Sequence, residues 1–171
     1  MGYFLGFLAV VAVALAFKNL KGKKQHPDQD GIEYQKKDSL ITVAEKRFLS
    51  RLDETVGARA RVFSMVRVAD VIKPKKTLDN KQKHILFRKT SQKHFDFVLC
   101  DPISLEPLCV IELNDKSHQR KDRKERDKFL ATACHSANLP LHFVPVSKQY
   151  DTAAIESYIA ADIPSLLKKA S

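Results

Sequence analysis

HFDFVLC, residues 94–100, and LCVIEL, residues 108–113, are the two stretches on which the fold turns. Both have strand composition, rich in Phe, Val, Leu and Ile. Between them DPISLEP carries two prolines and reads as a hairpin connection. Side chains alternate along a strand, so Asp96 shares a face with Val98, and Glu112 shares one with Val110 and Leu108. Each carboxylate thus interrupts a face otherwise suited to a core. Two unneutralised carboxylates on buried faces are expensive, and a bound cation or a basic partner removes much of that cost. The plain alternative is that both sit at strand ends in water.

Working outward, the first element after residue 40 is a helix. Thr42-Val43-Ala44-Glu45 fits a capping box, and Phe48, Leu49, Leu52 and Val56 give the segment an apolar side to about Gly57. Capping accounts for Glu45. Its place above the inward stripe of Leu49, Leu52 and Val56 keeps a site role open. Residues 60–72 read as an extended strand, with Val62, Val66 and Val68 in one parity and Phe63 and Met65 in the other, ended by Pro74. A basic connection follows, with a short helix predicted around residues 80–89. From Arg67 to Lys93 there are nine basic and two acidic residues. That is either a solvated flank or a phosphate-facing surface.

Beyond LCVIEL lies a polar loop, Asn114 to His118, and then a long helix to about Ala137 with Phe129, Leu130, Ala133 and Ala137 inward. Residues 116–128 hold seven basic and three acidic side chains. A short strand, 141–146, and a final helix, 148–161, packed through Tyr150, Ala154, Tyr158 and Ile159, complete the chain. The order helix, strand, charged insertion, strand, strand, helix, strand, helix predicts an α/β fold: a central mixed sheet flanked by helices.

Composition bounds the function. The 171 residues supply one ordinary domain once the N-terminus is set aside. Five glycines argue against a Gly-rich phosphate loop. Cys100, Cys109 and Cys134 lie in apolar surroundings without ligand-type spacing and read as reduced, buried thiols. A formal charge of +10 favours anionic partners, whether nucleic acid or phospholipid headgroups.

From Tyr3 to Phe17 there is no charged residue. Extended to Leu20, the run reaches roughly 27 Å as a helix, close to a bilayer core. Lys18, Lys21, Lys23 and Lys24 follow, and nothing basic precedes it. Residues 3–20 therefore read as one transmembrane helix in a bacterial-type inner membrane, with the C-terminal domain cytoplasmic. A cleaved secretory signal fits less well, since its basic n-region is missing. A buried helix of a soluble domain is the remaining alternative. The organisation read is an anchor at 1–20, a polar linker at 21–39, a domain at 40–162 and a basic tail at 163–171.

The stretches TVAEKRFLSRL, FSMVRVADVIKP, KTSQKHFDFVLCDP, LCVIELNDKSH, RKERDKFL and ANLPLHFVPV, in that order, resemble the bacterial domain-of-unknown-function family 2726 and, more broadly, the PD-(D/E)XK or restriction-endonuclease-like superfamily. They cover nearly everything from residue 40 to 147. The resemblance implies a restriction-endonuclease-like sheet and a magnesium (or manganese) cofactor held by Asp96 and Glu112, with Glu45 as helper. The superfamily lysine two positions beyond the strand glutamate is replaced by Asn114. Asparagine holds water through hydrogen bonds but carries no positive charge. Lys116 or Lys93 is the expected source of the missing ammonium. His94 and His118 are accessory candidates. Lys93, Arg120, Lys121, Arg123 and Lys124 would face a nucleic-acid backbone.

Two functions compete on this reading. One is a metal-dependent phosphodiesterase acting on DNA or RNA, with Asp96, Glu112, Asn114 and Lys116 in the catalytic set. The other is a catalytically silent nuclease-like domain that binds nucleic acid or a protein at the membrane. Simple lysine-driven association with a lipid surface is a third; it predicts little dependence on Asp96 or Glu112.

Overall fold

The computed structural model describes residues 33–114 and 121–163. The expected membrane anchor at 3–20, most of the linker, Lys116, His118, Arg120 and the tail beyond Ile163 lie outside the described residues. Among the described residues no helix is long and apolar enough to cross a membrane. The chain divides into Met1–Asp38 and Ser39–Ser171, and the fold below belongs to the second unit.

The helix α1, Val43–Val56, starts on the expected capping box. The Glu45 N–H donates to Thr42 Oγ1 at 3.3 Å, and the Thr42 N–H donates to Glu45 Oε2 at 2.6 Å. Two donors that the first helical turn leaves without intrahelical partners are thereby satisfied. Phe48, Leu52 and Val56 recur every four residues and are buried, as the helical period requires.

A four-stranded mixed sheet follows, in the order β1-β2-β3-β4: β1 Arg61–Arg67, β2 His94–Cys100, β3 Pro107–Asn114 and β4 Leu141–Pro145. The first two pairings are antiparallel and β3·β4 is parallel. Helix α4, Lys121–Ser136, makes the crossover between the parallel strands. Helices α1 and α5, Thr152–Ile159, cover one face with Phe97, Leu99, Cys109 and Ile111. Leu130 and Cys134 of α4 cover the other, with Val98 and Val110. The mixed α/β class expected from the sequence is what forms.

Three local expectations are corrected. The strand read at 60–72 stops at Arg67 and gives way to the single turn α2, Val68–Val71. Its ladder ends at Arg67↔His94, the first residue of β2, and the Val68 N–H makes one last bond, to the Lys93 carbonyl at 2.8 Å. The chain then coils, and the Val68 side chain plugs the α4-side core. On α4 the inward positions are Leu130 and Cys134, with Phe129 partly buried and Ala137 exposed. Helix α5 begins at Thr152 on an Asp151 cap, not at 148; Ile155 and Ile159 are buried, whereas Ala154 and Tyr158 face solvent. Tyr150 does pack, edge-on against Phe48 at 4.9 Å, but from the segment before the helix. The short helix read around 80–89 is α3, Asn80–Ser91, capped by Asp79 and Gln82.

One irregularity positions the site. Met65 has φ 55°, a left-handed value uncommon for a long side chain. The β1·β2 register runs through Ser64↔Phe97 and Val66↔Phe95 but skips the Met65 step between them. Phe97 and Val62 lie on the α1 side, whereas Phe95 and Val66 lie on the α4 side. The β1–β2 ribbon therefore exchanges faces around Met65 and Asp96.

Candidate functional site

Asp96 sits at that kink, and the β2·β3 ladder also stops short of it. Backbone pairing runs from Cys100↔Pro107 to Phe97↔Ile111 and goes no further. Beyond that step the strands part, and two backbone donors lose their ladder partners. Side chains replace them reciprocally. The Asp96 N–H donates to Glu112 Oε1 at 3.3 Å, and the Leu113 N–H donates to Asp96 Oδ2 at 2.8 Å. Each carboxylate thus closes the gap from the opposite strand. Buried backbone donors are seldom left unpaired, and here the acids do the pairing.

Glu112 is 1% exposed, and Arg126 of α4 reaches it with Nη2 at 2.9 Å from Oε2. The same guanidinium donates to the His94 carbonyl at 3.1 Å, tying α4 to the first residue of β2. Burial, and then the charge of Asp96, push the Glu112 carboxyl up to about 8, against the downward pull of Arg126. At neutral pH the site therefore holds a proton that a stronger cation could displace. The Cys134 thiol, on the same helix and face, is pushed up to about 12 by burial first and by the Glu112 charge second.

The sequence-derived candidates separate clearly. Asp96 and Glu112 come together where β3 emerges from the sheet, and Asn114 follows two residues beyond Glu112. Asn114 ends β3 beside Pro145, its carbonyl accepts from the Val146 N–H at 2.8 Å, and its Oδ1 is buried with no hydrogen-bond partner among the described residues. Glu45 is engaged at its own helix start, as above. The Lys93 ammonium donates to the Lys89 carbonyl at 2.9 Å and lies 5.2 Å from the centre of the Phe129 ring, so it closes the end of α3 and stacks on α4. The His94 side chain is exposed; its backbone carbonyl is what touches the site. Lys121 opens α4, and Lys124 is exposed on it, with Arg123 partly so.

Arg126 is the site residue that the sequence reading missed. Its signal was present: Arg126, Leu130 and Cys134 recur at every fourth position, which is one stripe of a helix. An arginine on the inward stripe of a helix facing two strand carboxylates is their natural counter-charge. A cleft of about 820 Å³ lies elsewhere, between the 71–78 and α3 region and α4, and neither carboxylate lines it.

Chemically, two carboxylates from adjacent strands at the mouth of a parting ladder offer the hard oxygen donors that magnesium and manganese prefer. Arg126 supplies a fixed positive charge beside them. A family model described as a protein of unknown function (DUF2726) matches residues 37–163. The chain belongs to that family. The match takes in every described strand and helix. No curated protein and no solved structure matches the chain.

Proposed function

We propose that the 40–162 domain is a metal-dependent phosphodiester hydrolase of the PD-(D/E)XK type, acting on DNA or RNA. The observation that carries this reading is the reciprocal Asp96–Glu112 arrangement at the point where β2 and β3 part. A magnesium or manganese ion held by these two side chains would polarise a phosphate oxygen and make water more acidic. Asp96 and Glu112 would bind it, exchanging the Glu112 proton and part of the Arg126 contact for the cation. Asn114, at the lysine position of the superfamily motif, would orient water through its amide. Arg126 would supply the positive charge that the motif lysine carries elsewhere. Lys121, Arg123 and Lys124 of α4 would meet the phosphates of the substrate backbone, together with Arg120 and Lys116 from the residues before it in the sequence.

The apolar run at 3–20 and the lysines after it support a single-pass anchor in the inner membrane, with this domain on the cytoplasmic side. One observation favours a silent, binding-only domain: Arg126 already occupies Glu112 Oε2 at 2.9 Å, where a metal would bind, and Asn114 stands at the lysine position. The test is turnover. The detergent-solubilised full chain with Mg²⁺ or Mn²⁺ should cleave members of a panel of single- and double-stranded DNA and RNA, and Asp96→Asn should abolish the cleavage. Saturable metal binding without cleavage across the panel would shift the reading to the binding role.

A further inference from the structure

On the sheet face away from α4, three side chains of different chemistry converge. Cys109 comes from β3, His142 from β4, and Asp162 from the turn after α5. The parallel register sets His142 beside Ile111, two residues along β3 from Cys109 and on the same face. One ligand atom from each of the three lies within 4.8 Å of the others, and His142 Nε2 is 2.5 Å from Asp162 Oδ2.

We propose that Cys109, His142 and Asp162 form a second metal centre, suited to zinc or a divalent ion of similar softness and independent of the acidic pair. The donor set is one sulfur, one imidazole nitrogen and one carboxylate oxygen, the mixture that zinc accepts and magnesium does not. Bonds of roughly 2.0–2.3 Å place tetrahedral ligand atoms about 3.3–3.7 Å apart, so side-chain rotations on the order of 1 Å close the present spacing. A thiolate and a carboxylate together balance a divalent charge, and the neutral imidazole adds none.

The surroundings set what a bound cation must overcome. The Cys109 side chain is fully buried in the α1 and α5 core. Burial pushes its thiol up to about 12, and the nearby Asp162 charge adds to this. Without a cation that carboxylate opposes the thiolate; with one, both become ligands. The His142 and Asp162 side chains are 22% and 13% exposed, which gives the centre an entry path and a fourth position open to water. The metal would take the place of the proton between His142 Nε2 and Asp162 Oδ2 and of the thiol proton. It would also clip the end of α5, where Ile163 is buried, to the β3–β4 edge.

The experiment uses the full-length protein, stripped with chelator and titrated with Co²⁺, then Zn²⁺. One equivalent of Co²⁺ should give tetrahedral d–d absorption together with a near-ultraviolet thiolate-to-cobalt charge-transfer band, and Zn²⁺ should displace both. Cys109→Ser should remove the charge-transfer band, whereas Cys134→Ala and Asp96→Asn should leave it. His142→Gln and Asp162→Asn, at partly exposed positions, should each weaken zinc binding by more than the roughly 10–100-fold typical of losing a ligand's supporting partner. They decide the matter even if Cys109→Ser does not fold. No saturable Co²⁺ uptake, uptake without the thiolate band, or a band that survives in Cys109→Ser would overturn the proposal.

Discussion

The two ends of the β2–β3 pair are built from the same two strands and behave oppositely. At the hairpin end, Leu99 faces Cys109 and pairing continues through a register shift to Cys100↔Pro107, the Leu99 and Cys109 side chains are fully buried, and Asp101 closes the turn by accepting from the Ile103 and Ser104 N–H groups at 2.9 and 2.7 Å. At the other end the ladder fails one step after Phe97↔Ile111, and two acids and an arginine take its place. The closed end is stabilised by apolar burial. The parted end holds a buried carboxylate that costs stability unless a cation attends it.

The first way to sharpen this contrast is pH. The Glu112 carboxyl is raised from 4.5 to about 8, so through that window the folded chain holds a proton that the unfolded chain has released. Stability therefore falls as pH rises from roughly 4.5 to about 8 and levels off above it, by an amount on the order of 5 kcal/mol. Thermal melts across this range should show the slope, and Glu112→Gln should flatten it. A second contrast comes from the closed end. Leu99→Ala should cost about 3 kcal/mol by leaving a cavity, as chemical denaturation would measure, with metal affinity at the parted end unchanged.

Removing the counter-charge tests the parted end directly. Arg126→Ala should destabilise by about 2 kcal/mol, below the roughly 3–5 of a fully buried pair, because a third of the Arg126 side chain meets water. The same substitution should raise the Glu112 pKa further, visible in a carboxyl-resolved NMR titration. The smallest effect separates capping from ligation. Thr42→Ala should cost about 1 kcal/mol of stability, and Glu45→Gln, which preserves an acceptor for the Thr42 N–H, should change neither the melt nor divalent-ion affinity.

Much of the architecture was legible in residues alone because local signals agreed. The Thr42–Glu45 box set the start of α1, and the alternation in 94–100 and 108–113 set β2 and β3 to within a residue. What failed was non-local. Nothing in 60–72 says that β2 begins only at His94, so the turn at Val68 was invisible. Likewise, alternation cannot reveal the face exchange at Met65, which depends on a backbone angle. Asp96 and Glu112 were readable because a charge on an apolar strand face demands a reason. Arg126 was hidden in a run of charges until the Leu130–Cys134 stripe gave it a direction. The Cys109–His142–Asp162 cluster spans three elements distant in sequence, and ligand spacing along the chain gives no hint of it.

The central claim is that Asp96 and Glu112 together make a divalent-ion site, and calorimetric titration of the full chain with Mn²⁺ tests it most directly. One saturable site should appear, tighter at pH 8.5 than at pH 6.5 because the metal displaces the Glu112 proton, and weakened at least about a hundredfold by either Asp96→Asn or Glu112→Gln. Saturable binding that neither substitution alters, or no binding at all with the ion in excess, would contradict it.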